Sequence, residues 1–211
     1  MTAHPIRVAL ADDQAILRRG LAALLGLEHD IEVVAEAETC AGTVAAVAEH
    51  RPDVLLLDVQ MPAGSDAPGT PADGLEVASA LAGMGVRIIV LTTFGRAGYL
   101  RRTLETGASG FMVKDAPVEQ LVDAIRRVHQ GLRVVDPELA AQSLASGPNP
   151  LTAKEAEVLR AASRGGSTAD IAARVFLSEG TVRNHVSSAI GKLGVTNRAE
   201  AVRAATDAGW L

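Results

Sequence analysis

Across 211 residues, 48% hydrophobic but only 2% aromatic, there is room for one large domain or two small ones, with cores of Ala, Val, Leu and Ile. Apolar runs no longer than strands, no signal-like stretch before Ile6 and a single cysteine, Cys40, argue against membrane insertion, export, a disulfide framework and structural zinc, and predict a cytoplasmic protein. The net charge of −5 is unevenly spread: residues 1–150 carry 12 Lys/Arg and 19 Asp/Glu, residues 151–211 carry 8 and 6, so an acidic module precedes a mildly basic one.

In chain order, short runs rich in Val and Ile at Ile6–Ala11, Ile31–Ala35, Val54–Leu57, Ile88–Leu91 and Gly110–Val113 predict five strands buried on both faces. Between and after them, Gln14–Leu25, Thr39–Glu49, Gly74–Leu81, Gly95–Thr106 and Pro117–His129 have the spacing of amphipathic helices. Pro117 suits a first turn, where its missing N–H is no loss. This alternation predicts an α/β fold: a doubly wound, five-stranded parallel sheet with helices on both faces. Functional groups in such a sheet gather at the carboxyl ends of strands. Eleven residues rich in Gly, Pro and small side chains separate Pro62 from Gly74, where about 2–6 usually suffice, and they predict a long mobile loop.

Gly147-Pro148-Asn149-Pro150 punctuates the chain, so residues 1–137 are read as one domain, 138–150 as a linker and 151–211 as a second domain. There, Thr152–Ser163, Ser167–Val175, Glu179–Leu193 and Arg198–Asp207 predict a compact all-α module of four helices. Thr152 and Glu155 have capping-box spacing, and Ser178 and Asn197 suit caps. Residues 167–193 read as helix, tight turn, helix. Ile171, Ala172 and Val175 form a stripe matching Val182, Val186, Ile190 and Leu193, closed by Val158, Leu159, Ala201 and Val202.

The chemistry-bearing residues fall at strand ends. Asp12 and Asp13 follow the first strand, Asp58 the third, Thr92 the fourth and Lys114 the fifth, so the expected fold gathers them at one edge. Three neighbouring carboxylates repel one another unless a hard divalent cation such as Mg²⁺ lies between them. Asp58 is then the candidate nucleophile toward a phosphoryl group, Lys114 a cationic donor and Thr92 a hydroxyl donor. Singly, each residue also reads as a turn former or solvated surface; the joint placement carries the functional reading. In the second module, Thr181, Arg183, Asn184, Ser187 and Ser188 lie on the polar side of the third helix, near its amino end, where a recognition helix meets base edges. Arg183 suits guanine and Asn184 adenine, while Thr181, His185 and Lys192 suit the phosphates of double-stranded DNA. Ordinary solvated surface is the plainer alternative for these side chains.

Asp12-Asp13, Asp58-Val59-Gln60-Met61-Pro62, Thr92-Thr93 and Gly110-Phe111-Met112-Val113-Lys114-Asp115 resemble the signature of response-regulator receiver domains. That resemblance implies that Asp58 accepts phosphate from a sensor histidine kinase. It also implies Mg²⁺ held by the side chains of Asp12, Asp13 and Asp58 and the backbone carbonyl of Gln60, with Thr92 and Phe111 as hydroxyl and aromatic switch positions. Phe111 stands where tyrosine is frequent, and the Pro62–Gly74 loop departs from the family's short connection. Leu151-Thr152, Glu155 through Leu159, Ala169-Asp170-Ile171-Ala172 and Ser178 through Val195 resemble the helix-turn-helix of LuxR/NarL-type regulators, with Ser187 where lysine is common. The two modules together resemble the NarL/FixJ class of two-component regulators. Leu91 through Tyr99, Gly194 through Arg198 and Gly209-Trp210-Leu211 are similar to the subgroup regulating membrane-lipid desaturase genes.

The class implies a homodimer when phosphorylated, paired through Gln14–Leu25 and Pro117–His129. Leu17, Leu21, Leu121, Val122 and Ile125 are the expected apolar contacts, unless they bury against the sheet. The function expected is phosphorylation-dependent control of transcription, with no enzyme activity beyond slow loss of the chain's own phosphate. Two alternatives stay open: a constitutive DNA-binding protein with a vestigial receiver, and a magnesium-dependent phosphatase. Against the latter, Gln60 occupies the place two residues after Asp58 where an acid–base carboxylate would sit.

Overall fold

The computed structural model describes residues 4–93, 100, 103–137, 140–141 and 148–211. The chain divides into two compact units.

The first unit is built on strands β1 (Ile6–Ala11), β2 (Ile31–Ala37), β3 (Val54–Asp58), β4 (Arg87–Thr92), β5 (Gly110–Val113) and β6 (Val134–Val135). All pair in parallel, in the order β2-β1-β3-β4-β5-β6. Helices α1 (Ala15–Leu25), α2 (Cys40–His50), α3 (Gly74–Ala80) and α4 (Val118–His129) are interspersed. The sheet therefore has one strand more than the sequence predicts. Val134 and Val135 are too few to display a period, and they become a strand only by pairing with Gly110 and Phe111. The helix expected over Gly95–Thr106 lies mostly outside the described residues; within it, residues 100 and 103–105 are helical. In the expected linker, residues 140 and 141 are helical, and Ala140 N–H donates to the Asp136 carbonyl at 3.0 Å.

Every residue of β3 is buried, as its unbroken apolar run requires of a central strand. Alternate residues point to opposite faces, so Val8, Leu10, Leu56, Ile89, Leu91 and Met112 pack with Leu25 of α1 and Leu121, Val122 and Ile125 of α4. Each such side chain contributes about 1.5–3 kcal/mol when fully buried. Of the two readings open for these side chains, burial against the sheet is the one seen: Leu121, Val122 and Ile125 form the stripe by which α4 covers the sheet, and Leu21 packs against the same core. The large apolar side chains left to solvent on α1 are Ile16, 92% exposed, and Leu24.

The long β3–α3 connection is pinned at its start. Pro62 and Ala63 carbonyls accept from the Cys40 and Ala41 amides, both at 2.9 Å, so the loop satisfies donors at the amino end of α2. Beyond them the loop is largely exposed. Gly64, at φ +77°, passes so close to Thr39 that a Cβ there would lie 2.5 Å from the Thr39 side chain.

The second unit comprises α5 (Ala153–Ser163), α6 (Thr168–Val175), α7 (Glu179–Leu193) and α8 (Arg198–Asp207). Thr152 and Glu155 form the expected capping box, Ser178 accepts from Thr181 N–H, and Asn197 from Glu200 N–H. Ser167 and Asp170 add a second box at α6. Val158, Ile171, Ala172, Val175 and Val182 bury together, while Leu159, Ala189, Ala201 and Ala205 form a second cluster against which Trp210 packs. Among the described residues, no helix is long and apolar enough to cross a membrane.

Candidate functional site

Strand order reverses beside β1: the chain runs from β1 out to β2 and returns to β3 on β1's other side. At such a switch point the loops diverge and leave a crevice at the carboxyl ends of the strands. Asp12 and Asp13 leave β1 there, and Asp58 is the last residue of β3. One carboxylate oxygen from each lies within 4.8 Å of the others. Asp12 is 4% and Asp58 2% exposed, whereas Asp13 faces solvent. Register places Thr92, at the end of β4, opposite Val113, so Lys114 follows at the same edge. Its Nζ stands 2.7 Å from Asp12 Oδ2 and 2.9 Å from Asp58 Oδ2.

Three carboxylates against one ammonium leave negative charge in excess. Burial, chiefly, pushes the Asp58 carboxyl above its ordinary range, opposed by Lys114 and the Gln60 backbone amide. Burial alone would lower the Lys114 ammonium, but its contacts with Asp12 and Asp58 outweigh that and raise it. Neither Asp12 Oδ2 nor Lys114 Nζ has an aligned hydrogen bond despite full burial. A buried, incompletely satisfied set of hard oxygen donors fits a divalent cation of the Mg²⁺ type.

Thr92 is buried at the site's edge. Phe111 is fully buried, paired across strands with Val90 and Val135 on the sheet face opposite Met112. Gln60 is exposed just past β3. Gly74 is required by contact: a Cβ there would lie 2.0 Å from the Asp58 carbonyl oxygen.

One contributor escaped the sequence reading. Arg18 of α1 is buried, donates from Nη1 to the Asp12 carbonyl at 2.5 Å, and pairs through Nε with Glu36 at 3.2 Å and through Nη2 with Glu38 at 3.6 Å. It clamps the end of β1 that presents Asp12. Its signal is an arginine interrupting the inner stripe of an amphipathic helix. Gln14 N–H, donating to Asp12 Oδ1 at 2.9 Å, holds the same carboxylate from the other side.

On the second unit, α7 presents Arg183, Asn184 and Ser187 to solvent, with Thr181 and His185 half-buried. The Thr181 hydroxyl is 2.8 Å from that of Ser178 at the cap, and Arg183 makes only a long, exposed pair with Glu179 at 3.4 Å. Ser188 and Lys192 are exposed as well, and both also reach Glu155 on α5. Phe176, in the left-handed conformation (φ 54°) at the end of α6, is 94% exposed at the turn.

Residues 8–126 match the response regulator receiver domain, and residues 149–205 match the luxR family of bacterial regulatory proteins. The transcriptional regulatory protein DesR of Bacillus subtilis (strain 168) is 41% identical over 206 residues, covering 98% of this chain and 99% of DesR. Among solved structures, the response regulator ChrA of a heme-sensing two-component system is similar at 35% identity and TM-score 0.58, covering 97% of this chain and 98% of ChrA. The two-component response regulator RcsB, in its complex with DNA, is similar at 26% identity and TM-score 0.67, covering 97% and 99%.

Proposed function

We propose, for a chain that belongs to the family of response regulators joining a receiver domain to a LuxR-type DNA-binding domain, that Asp58 is its phosphoacceptor and that the phosphoryl group governs promoter binding. The observation carrying this reading is the cluster of buried Asp12 and Asp58 with exposed Asp13, closed by Lys114 at the switch point of the sheet. Asp12, Asp13 and Asp58 would hold Mg²⁺ through their carboxylates and Gln60 through its backbone carbonyl. When bound, the ion neutralises charge on the phosphoryl oxygens.

An Asp58 oxygen attacks the phosphorus of a kinase phosphohistidine; the P–O bond forms as the P–N bond breaks, and the imidazole leaves. Lys114, already beside Asp58, pairs with the arriving negative charge, and Thr92 donates its hydroxyl. The charge thus favours conformers in which Thr92 and Lys114 face the acyl phosphate, with Phe111 following. Slow hydrolysis of that phosphate is the only turnover proposed.

In the proposed organisation, residues 1–137 receive the signal, 138–150 link and 151–211 bind double-stranded DNA as a phosphorylation-favoured homodimer in the cytoplasm. Arg183, Asn184 and Ser187, with Thr181 and His185 flanking, would meet the DNA. Pairing raises the effective concentration of the second half-site reader, so dimerisation acts as the switch. The resemblance noted from the sequence extends the proposal to membrane-lipid desaturase genes as targets.

The test is incubation with a small phosphoryl donor and Mg²⁺, followed by intact mass and solution mass, for wild type and Asp58→Ala. The expected result is one added phosphoryl group and a monomer-to-dimer shift, both lost in the variant. A phosphorylated wild type that does not change mass in solution would sink the dimer switch. A chain that takes no phosphate yet binds promoter DNA would establish the constitutive reading, and multiple turnover of a phosphomonoester the phosphatase reading.

A further inference from the structure

Glu155 is 4% exposed, an unusual place for a carboxylate in a unit of about sixty residues. Its Oε2 accepts from Thr152 N–H at 2.7 Å and from Lys192 Nζ at 2.7 Å, and its Oε1 accepts from the Ser188 hydroxyl at 2.7 Å. Ser188 and Lys192 stand one turn apart on α7, so the first turn of α5 is tied to the carboxyl-terminal half of α7 at two points. From these contacts we infer that Glu155 is a positioning residue that sets the recognition helix, and that Lys192 is its internal counter-ion rather than a contact to DNA phosphate. The inference rests on reading α7 as the recognition helix.

Three independent features carry it. At about 100° per residue, Lys192 lies half a turn around α7 from the exposed Arg183 and about 140° from Ser187, on the side of the half-buried Thr181 and His185. The pair is also neutral, so Lys192 presents little net charge to a polyanion, and drawing it out to a phosphate would strand a buried carboxylate. Lys192 lies, besides, in the last turn of α7, where a cation is favoured by the helix dipole. Burial would raise the Glu155 carboxyl, but Lys192, Ser188 and Thr152 together hold it down to about 2. Arg183 is more exposed, its side chain 65% against 35% for Lys192, and it is held only loosely by Glu179, at 3.4 Å against 2.7 Å.

The experiment is full-length protein binding to a mixed-sequence DNA duplex, with the slope of log K against log salt measured for wild type, Lys192→Gln and Arg183→Met. A contacting cation contributes about 0.9 to that slope. Arg183→Met is expected to flatten it by about that amount. Lys192→Gln is expected to leave it unchanged while lowering the thermal midpoint read by Trp210 fluorescence, and Lys192→Arg to restore that midpoint. A flattened slope in Lys192→Gln at an unchanged midpoint would overturn the inference. Amine-modification footprinting of the wild type gives an answer independent of variant folding. Lys192 should react to the same extent with and without DNA, and protection only on DNA would assign it to the phosphates. If the wild type shows no salt-dependent binding, the DNA-binding reading itself fails, while the Lys192→Gln midpoint still decides the Glu155–Lys192 pair.

Discussion

At the sheet edge of the first unit, three carboxylates face one ammonium; in the four-helix unit one carboxylate, Glu155, faces one ammonium and two neutral donors. Both are buried charges, yet their electrostatic balance is opposite. Glu155 is held far below its ordinary value because its donors outweigh burial, whereas Asp58 is pushed up because burial outweighs Lys114. A buried charge met by several donors is costly to unpair. A cluster with like charges in excess instead lowers stability until a cation or a reaction changes it. Structural carboxylates and functional ones are thus distinguished by charge balance, not by burial.

The strongest way to break this comparison is to neutralise one carboxylate on each side. Glu155→Ala removes the capping box and leaves Lys192 and Ser188 without their acceptor, and a loss of about 3–4 kcal/mol is expected for the second unit. Trp210 fluorescence during denaturant unfolding measures it. Asp58→Asn, by contrast, should raise the midpoint of the first unit in Mg²⁺-free buffer, because it relieves like-charge repulsion. A fall in both would show that the acidic site is not strained by its charge.

Acid sharpens the same contrast. Glu155 has a lower value folded than its ordinary 4.5, so its contribution is complete above about pH 4.5 and is lost as pH falls through about 2. Midpoints of the second unit recorded across this range should fall in wild type and fall much less in Glu155→Gln; parallel curves would refute the assignment.

Smaller effects separate tight from loose regions around the acidic site. Gly74→Ala forces a methyl against the Asp58 carbonyl, and about 2 kcal/mol of destabilisation is expected together with slower phosphorylation. Deleting residues 65–71 should change stability by about 0.5 kcal/mol at most, since those residues are largely exposed and loop length costs little. The same deletion should change the half-life of the phosphorylated form, because the loop leaves β3 directly after Asp58. An unchanged half-life would make the insertion inert.

Much of this architecture is legible in local pattern. Apolar runs mark the strands, helical spacing marks α1 through α8, and Thr152, Ser178 and Asn197 announce helix starts, because these signals depend on neighbours within about four positions. Asp12, Asp13, Asp58, Thr92 and Lys114 could be assigned to one edge because a parallel α/β sheet puts all strand ends on the same side. Contacts between distant segments carried no such signal. Lys192 reads as a surface cation until α5 and α7 pack and bring Glu155, 37 positions away, against it. Arg18, the two-residue β6 and the docking of Pro62 and Ala63 on α2 likewise exist only once segments far apart in sequence meet. Leu121, Val122 and Ile125 carry the same amphipathic pattern whether a helix covers its own sheet or a second molecule. Periodicity specifies that an apolar face exists, and tertiary packing alone decides what lies against it.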